Sequence, residues 1–256
     1  TRNEGSVENY GIEATLGQDI IKTKDFDWTA TANFSLNRGR VKSLPDQIVQ
    51  IDGTNYGGIY PTAFLGGSST GITGKDYLRN ENGDVICDEN GYPLIDTSKQ
   101  LYIGNREPDF LLGLGSNFRY KELTASFLFD GRCGGDVVNI TGSSLISNGQ
   151  HHLYDKYRNR EVVFNGVVKN ADGTYSPNTT PIILDQTTVN KYFYPVSSNF
   201  IEDGSYIRLS YVTVGYDMSK LLSKNSPVKG LNVSLTGRNL FLLTKYTGSD
   251  PQTNAN

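Results

Sequence analysis

Hydrophobic and polar residues alternate with period two along several stretches of this chain, and the longest unbroken run is Phe26 to Asn37. Phe26, Trp28, Ala30, Ala32, Phe34 and Leu36 take one set of positions; Asp27, Thr29, Thr31, Asn33, Ser35 and Asn37 take the other. Strand side chains point alternately to two faces, so the pattern predicts a long strand with an apolar and a polar side. Tyr10 to Ile20 reads alike, with Tyr10, Ile12, Ala14, Leu16 and Ile20 opposing Gly11, Glu13, Thr15, Gly17 and Asp19. A second pair places Phe110, Leu112, Leu114, Phe118 and Tyr120 on one face. Its partner places Leu123, Ala125, Phe127 and Phe129 there, opposed by Glu122, Thr124, Ser126 and Asp130. In a third pair, Leu231, Val233, Leu235 and Phe241 oppose Asn232, Ser234, Thr236 and Arg238. Its other member, Tyr206 to Tyr216, is less regular. The apolar face starts on Ile207, Leu209 and Tyr211, then changes to Val212, Val214 and Tyr216, which either a bulge or burial on both faces would explain.

The strands form three hairpins with short turns, separated by long connections at 38–107 and 132–204. The first turn is Lys22 to Asp25 and the second lies around Tyr120 to Glu122. In the third, Met218 to Leu222 is too short for a packed helix, and Pro227 and Gly230 close the turn. Strands in soluble sheets average about 5–6 residues. These are longer, and about ten residues tilted near 45° cover the roughly 25 Å apolar band of an outer membrane. Short turns on one side and long loops on the other are the asymmetry of outer-membrane barrels, with the long loops outside the cell. Both connections exceed the ~12–15 residues beyond which structureless loops become uncommon, so they should carry structure of their own. Val85 to Ile95 reads as a small hairpin around Asn90-Gly91, Val167 to Tyr175 as another around Asp172-Gly173, and Ser143 to Arg160 as room for a short helix. The expected fold is all-β, part of a large antiparallel transmembrane β-barrel with long structured extracellular loops.

Composition agrees with that reading. Sixteen Tyr, eleven Phe and 28 Gly against a single Met suit strands and turns more than helices. Mean hydropathy is −0.42, which leaves no window for a membrane-spanning helix; a barrel shows lipid only every second residue and hides this in the average. A net charge of −3 with no basic stripe argues against nucleic acid as a partner. The two cysteines, Cys87 and Cys133, lie in turn-rich loops. They are either unrelated thiols or one inter-loop disulfide, and by themselves make neither a scaffold nor a zinc site.

No catalytic constellation is present, and the chain reads as a non-enzyme. His151 and His152 sit side by side in a loop without a third ligand at metal spacing. Gly66-Gly67 and Gly134-Gly135 lack the strand-then-helix context that phosphate binding needs. The 80–91 loop, with Asn80 to Asp84 and Asp88 to Gly91, offers a possible calcium site. Calcium takes six to eight oxygens, and with no closing bidentate Glu at a fixed offset, turn formation by Asn-Gly is the simpler reading.

Phe200 to Pro251, FIEDGSYIRLSYVTVGYDMSKLL followed by VKGLNVSLTGRNLFLLTKYTGSDP, resembles the C-terminal signature of SusC/RagA-type TonB-dependent outer-membrane transporters. The features are Asp-Gly-Ser-aromatic-x-Arg-Leu, a short turn, a Gly-Arg-Asn-Leu-Phe strand and a Tyr-Thr-Gly-x-Asp-Pro loop. NEGSVENYGIEATL, DFDWTATANFSLNRGRVKSL and YIGNREPDFLLGLGSNFRYKELTASFLFDGRCGGDVVN resemble successive pieces of the same family, so the resemblance covers nearly the whole chain. It implies that residues 1–256 are the C-terminal part of a barrel closed by about 22 strands, six of them here, with the plug domain, TonB-contacting segment and last strand absent. No signal peptide opens the chain and it stops inside a loop, so it is expected to be a fragment. The resemblance further implies nutrient import at the bacterial outer membrane. Oligosaccharides or peptides would be captured with a SusD-like lipoprotein and driven inward by the TonB complex.

On that reading the apolar sets face lipid, with Phe26, Trp28, Tyr120 and Tyr216 as an aromatic girdle near the turns. The polar sets face the lumen, among them Glu13, Thr29, Asn33, Arg119 and Arg238. The candidate substrate contacts are Arg119, Arg238 and the loop aromatics Tyr56, Tyr60 and Tyr154, with Phe64 beside them. Pairing with barrel or plug carboxylates explains the arginines equally, and loop packing the aromatics. Two other classes stay open: a non-transporting barrel receptor or adhesin, and a soluble all-β binding module.

Overall fold

The computed structural model describes residues 5–50, 58–98, 100–152, 157–223 and 226–252. Its frame is a sheet of six long strands: Ser6–Lys22, Phe26–Ser43, Phe110–Tyr120, Leu123–Cys133, Tyr206–Asp217 and Asn232–Thr244. Each pairs antiparallel with its neighbours in chain order, so the sheet is a meander with the first and sixth strands at its edges. Register carries apolar positions onto apolar positions. Trp28 faces Phe118, Phe118 faces Ala125, Ala125 faces Val214, and Val214 faces Leu235. One row nearer the turns, Phe26, Tyr120, Leu123, Tyr216 and Val233 align in the same way. Trp28 stacks on Phe118 at 5.7 Å between ring centres, and its Nε1 donates to Ser116 Oγ at 3.4 Å, so the indole keeps a polar partner on an apolar face.

Two irregularities adjust the phase. The break expected in the fifth strand is a bulge at Ser210: Leu209 opposes Phe129 while Tyr211 opposes Leu128. Tyr211 therefore sits on the polar face opposite Arg238, not on the apolar face with Ile207 and Leu209, and the crossover falls one residue earlier than the sequence pattern placed it. On the sixth strand the step from Arg238 to Phe241 absorbs the same irregularity, with Asn239 at φ 51°. In the first strand a shift between Asp19 and Ile21 puts Ile21, rather than Ile20, opposite Trp28.

The three turns are bonded to one another. Thr23 closes the first by donating from its N–H (2.9 Å) and Oγ1 (2.8 Å) to the Phe26 carbonyl. Lys121, at φ 53° in a two-residue turn, donates its N–H to Asp25 O at 2.7 Å, and Asp217 N–H reaches Glu122 O at 2.9 Å. Lys220 and Glu122 form an ion pair across the same edge.

The core lies at the opposite end. Ile72, Tyr77, Ile86 and Cys87 from the first connection, and Ile182, Val189, Val196 and Phe200 from the second, are buried. The apolar face of the long strands stays open, with Leu16 at 67% and Leu235 at 80% exposure. Each connection thus carries structure, and the two fold together into one cap. Ile48–Gln50, Tyr60–Phe64, Gly71–Gly74 and Leu101–Asn105 form a sheet within the first. Ile86–Cys87 pairs in parallel with Val167–Lys169 of the second, which pairs in turn with Tyr175–Pro177. Both expected small hairpins are present. Gly91, at φ 84°, turns the first where a Cβ would lie 2.5 Å from Thr180 O. The helix in the second connection is Ile140–Ser147, starting before the expected Ser143 because Asn139 Oδ1 caps Gly142 N–H at 2.7 Å. Another helix, Gln186–Tyr192, is capped by Asp185 on Thr188 N–H at 2.7 Å; its sequence, QTTVNKY, has no apolar periodicity that would announce it.

A polar clamp joins the two connections inside the cap. Asp76 Oδ1 accepts from Ser198 Oγ (2.6 Å) and Tyr77 N–H (2.8 Å), and its Oδ2 accepts from Arg79 Nε (3.2 Å). Asn199 Nδ2 donates to Tyr77 Oη at 2.9 Å, and burial pushes that phenol up to about 12, so it stays protonated. For Asp76, burial alone would raise the carboxyl, but Arg79, Ser198 and the Tyr77 amide outweigh it and hold the group below its ordinary value. A carboxylate with a depressed folded value stabilises above the unfolded value and loses that contribution as pH falls through the folded one. Below about pH 4 the cap should therefore open first, seen as faster amide exchange in 75–96 and 193–200. Asp76→Asn should cost the cap about 1–3 kcal/mol at neutral pH and remove that acid step.

Candidate functional site

The polar face is built from short side chains. Thr15 Oγ1 donates to Asn33 Oδ1 at 3.0 Å across the first pair, and Thr213 and Thr236 share a bond at 2.9 Å across the last. Gly113 and Gly115 stand opposite Asn33 and Thr31 on this face, and a Cβ at Gly115 would lie 2.6 Å from Thr31 Oγ1. The 64–67 turn bonds Val41, whose N–H donates to Gly67 O at 2.9 Å, and residues 246–252 fold over Tyr206 and Arg208.

Of the residues singled out from sequence, Arg119 and Arg238 both lie on the polar face but are not brought together. Arg119 is at the turn end of the third strand and pairs with Asp27, its Nε donating to Oδ2 at 2.8 Å. A barrel carboxylate thus accounts for it. Asp27 Oδ1 is buried without a hydrogen-bond partner. Arg238 stands three strands away, exposed, beside Tyr211 and without an ion pair among the described residues. Tyr60 is half-buried in its cap strand opposite Thr73, and Phe64 packs edge-on against Tyr102 at 4.6 Å. Tyr56 and Tyr154 lie outside the described residues.

Where the cap meets the polar face, a cleft of ≈ 560 Å³ opens. Its floor is Asn9, Ser35, Asn37, Leu111 and Arg132 from the long strands; its roof includes Ser69, Thr70, Arg106, Glu107 and Asp136 from the connections. Arg132 is spent on backbone, with Nε on Gly134 O at 3.0 Å and Nη2 on Arg106 O at 2.8 Å. Glu107 is held by Arg38 at 3.5 Å and by Gly39 N–H at 2.9 Å. Asp136 Oδ2 accepts from Asn105 N–H at 2.7 Å. Sequence reasoning missed Arg106 and Arg132, which carry no motif and meet only because the third and fourth strands bring 106 and 132 to one end. A separate apolar cavity of ≈ 270 Å³ lies within the cap between Ile146, Val162, Phe164, Ile182, Val189 and Phe193.

The remaining candidates make local contacts where they are described. Asn80 Oδ1 accepts from Asn82 N–H (3.0 Å) and Asp84 N–H (2.8 Å), and Asp88 Oδ1 accepts from Asn90 and Tyr92 N–H at 2.9 Å each. Both side chains of the suggested calcium loop are thus engaged in closing turns. His151 and His152 lie ring to ring at 4.3 Å; burial, then the neighbouring ring, pushes His151 down. Cys87 and Cys133 are free thiols, Cys87 buried.

No family model matches the chain. Curated relatives do. It is 26% identical to TonB-dependent receptor P3 of Formosa agariphila over 99% of this chain and 26% of that protein. It is also 26% identical to TonB-dependent receptor SusC of Bacteroides thetaiotaomicron over 98% of this chain and 25% of that protein. Among solved structures, the RagAB peptide importer in its open-open state matches with a TM-score of 0.65 at 19% identity, covering 98% of this chain and 27% of that one. The chain is similar to TonB-dependent receptors of the SusC/RagA type over nearly its whole length. It spans about a quarter of the length of the curated relatives it matches.

In this SusC/RagA-like chain the two halves of the C-terminal signature bind each other. Arg208, 7% exposed, donates from Nη2 to Asp250 Oδ1 at 2.7 Å and from Nη1 to Gln252 Oε1 at 2.6 Å, with its guanidinium 5.1 Å from the Tyr206 ring. Glu202 Oε2 accepts from Thr247 N–H at 2.6 Å, while its Oε1 takes buried Asn139 Nδ2 at 2.7 Å. Breaking a buried pair from one side strands the other charge. Arg208→Ala should therefore destabilise by about 3–5 kcal/mol and expose Thr247–Gln252 to protease, read by urea unfolding and limited proteolysis in detergent. Asp27→Asn, at a partly exposed pair, should stay within about 1 kcal/mol in the same assay.

Proposed function

We propose that the chain forms wall and extracellular cap of an outer-membrane, TonB-dependent importer that takes up oligosaccharides or peptides together with a SusD-like lipoprotein. Its work is selective binding and passage, without covalent chemistry. The observation that carries this reading is the division of one sheet into two unlike faces. One is apolar, uncovered and edged by aromatics at the turns; the other is polar, small-chained and carries the cap. Water is a poor solvent for the first face and lipid a good one. The SusC and RagAB likenesses support the same reading, and the peptide importer named among them favours peptides as much as sugars.

Leu114 and Ser126 test the two faces within the full-length protein. Leu114→Arg should cost about 2–4 kcal/mol and reduce assembly into outer membranes, because it places a charge in lipid. Ser126→Arg, on the polar face, should assemble normally. Equal tolerance of both would sink the membrane reading. The residues 1–256 alone should come out of plain buffer as aggregate and stay dispersed only in detergent, since two sheet edges and an apolar face are bare. A soluble, cooperatively melting monomer would favour a binding module instead. Import that persists after deletion of the TonB-contacting segment would favour a passive receptor or pore.

A further inference from the structure

The cleft between cap and polar face has a feature beyond general passage. Arg106 is half-buried in its roof, and its guanidinium makes no hydrogen bond or ion pair among the described residues. Of the two carboxylates nearby, Glu107 is paired with Arg38 and bonded by Gly39 N–H, and Asp136 Oδ2 accepts from Asn105 N–H; neither pairs with Arg106. Arg132 is fixed on backbone carbonyls, one of them that of Arg106 itself, which anchors the main chain behind the free side chain. The side chains of Ser35, Asn37 and Ser69 line the same cleft and make no hydrogen bond among the described residues. An arginine fork held by its backbone, without an ion-pair partner among the described residues and with unspent amide and hydroxyl groups beside it, matches a planar anion on a polar ligand.

We propose that this cleft is an anion-recognising subsite, in which Arg106 binds a carboxylate of the transported molecule while Ser35, Asn37 and Ser69 bind its neighbouring polar groups. The inference rests on the importer reading and narrows its substrate to acidic members. The carboxylate can belong to a uronic acid of an oligosaccharide or to a peptide.

The test uses the full-length protein, purified in detergent, with four probes in calorimetry: trigalacturonate against maltotriose, and tetra-alanine with a free C-terminal carboxylate against its amide. At least one acidic probe should bind about tenfold or more tightly than its neutral counterpart, and which one does identifies the source of the carboxylate. Arg106→Gln should erase the preference, a loss of about ten- to a hundredfold for a charged hydrogen-bonded contact. Arg106→Lys, which keeps charge but not the fork, should fall between. The side chain holds nothing else in place, so the variants should fold. Equal binding of the acidic probe by wild type and Arg106→Gln overturns the subsite. TonB-dependent uptake of the neutral probes without acidic preference overturns it and leaves the importer reading standing. An assembled protein that takes up none of the four removes both.

Discussion

Everything in this chain depends on the register of one antiparallel ladder. Because side chains alternate strictly along a strand, pairing Trp28 with Phe118 commits Asp27 and Arg119 to the other face, and so on across six strands. A slip of one residue anywhere would turn a strand's apolar set toward the polar side. The bulge at Ser210 shows how firmly that constraint is kept: the fifth strand gives up one ladder position so that Leu209 and Val212 can both join the apolar face.

The ladder does not give the chain a core. A single sheet with one face bare buries little of itself; apart from Val41, Tyr206, Arg208 and Tyr246, the buried large side chains named above lie in the long connections. Those connections fold because they fold on each other. The parallel pairing of Ile86–Cys87 with Val167–Lys169, the stack of Tyr92 on Tyr192 at 4.4 Å and the Asp76 clamp each join residues about 80 to 120 apart in sequence. The cap meets the polar face, and the meeting of the two makes the cleft that holds Arg106.

The signature near the C-terminus has a physical meaning that its spelling conceals. Asp203 Oδ1 accepts from Ser205 Oγ at 2.6 Å and starts the fifth strand, which delivers Arg208 to the polar face. Asp250 returns from the far end of the sixth strand to meet it. Motif residues more than forty positions apart are thus the two sides of one buried ion pair, which ties 246–252 down on the wall.

Period-two alternation was sufficient to place the six strands, the short turns and, apart from Tyr211 and Ile20, the two faces, because those properties are set by neighbours in the chain and by a repeat of two. The small hairpins at Gly91 and Gly173 were legible for the same reason, since turn chemistry is local. The helix Gln186–Tyr192 was not, because its burial comes from the cap around it rather than from a stripe of its own. Nor could spacing show that Arg119 would be taken by Asp27 while Arg106 would be left without an ion pair among the described residues. Which charges pair and which stay available is decided by distances across strands and between loops, and those exist only once the chain has folded.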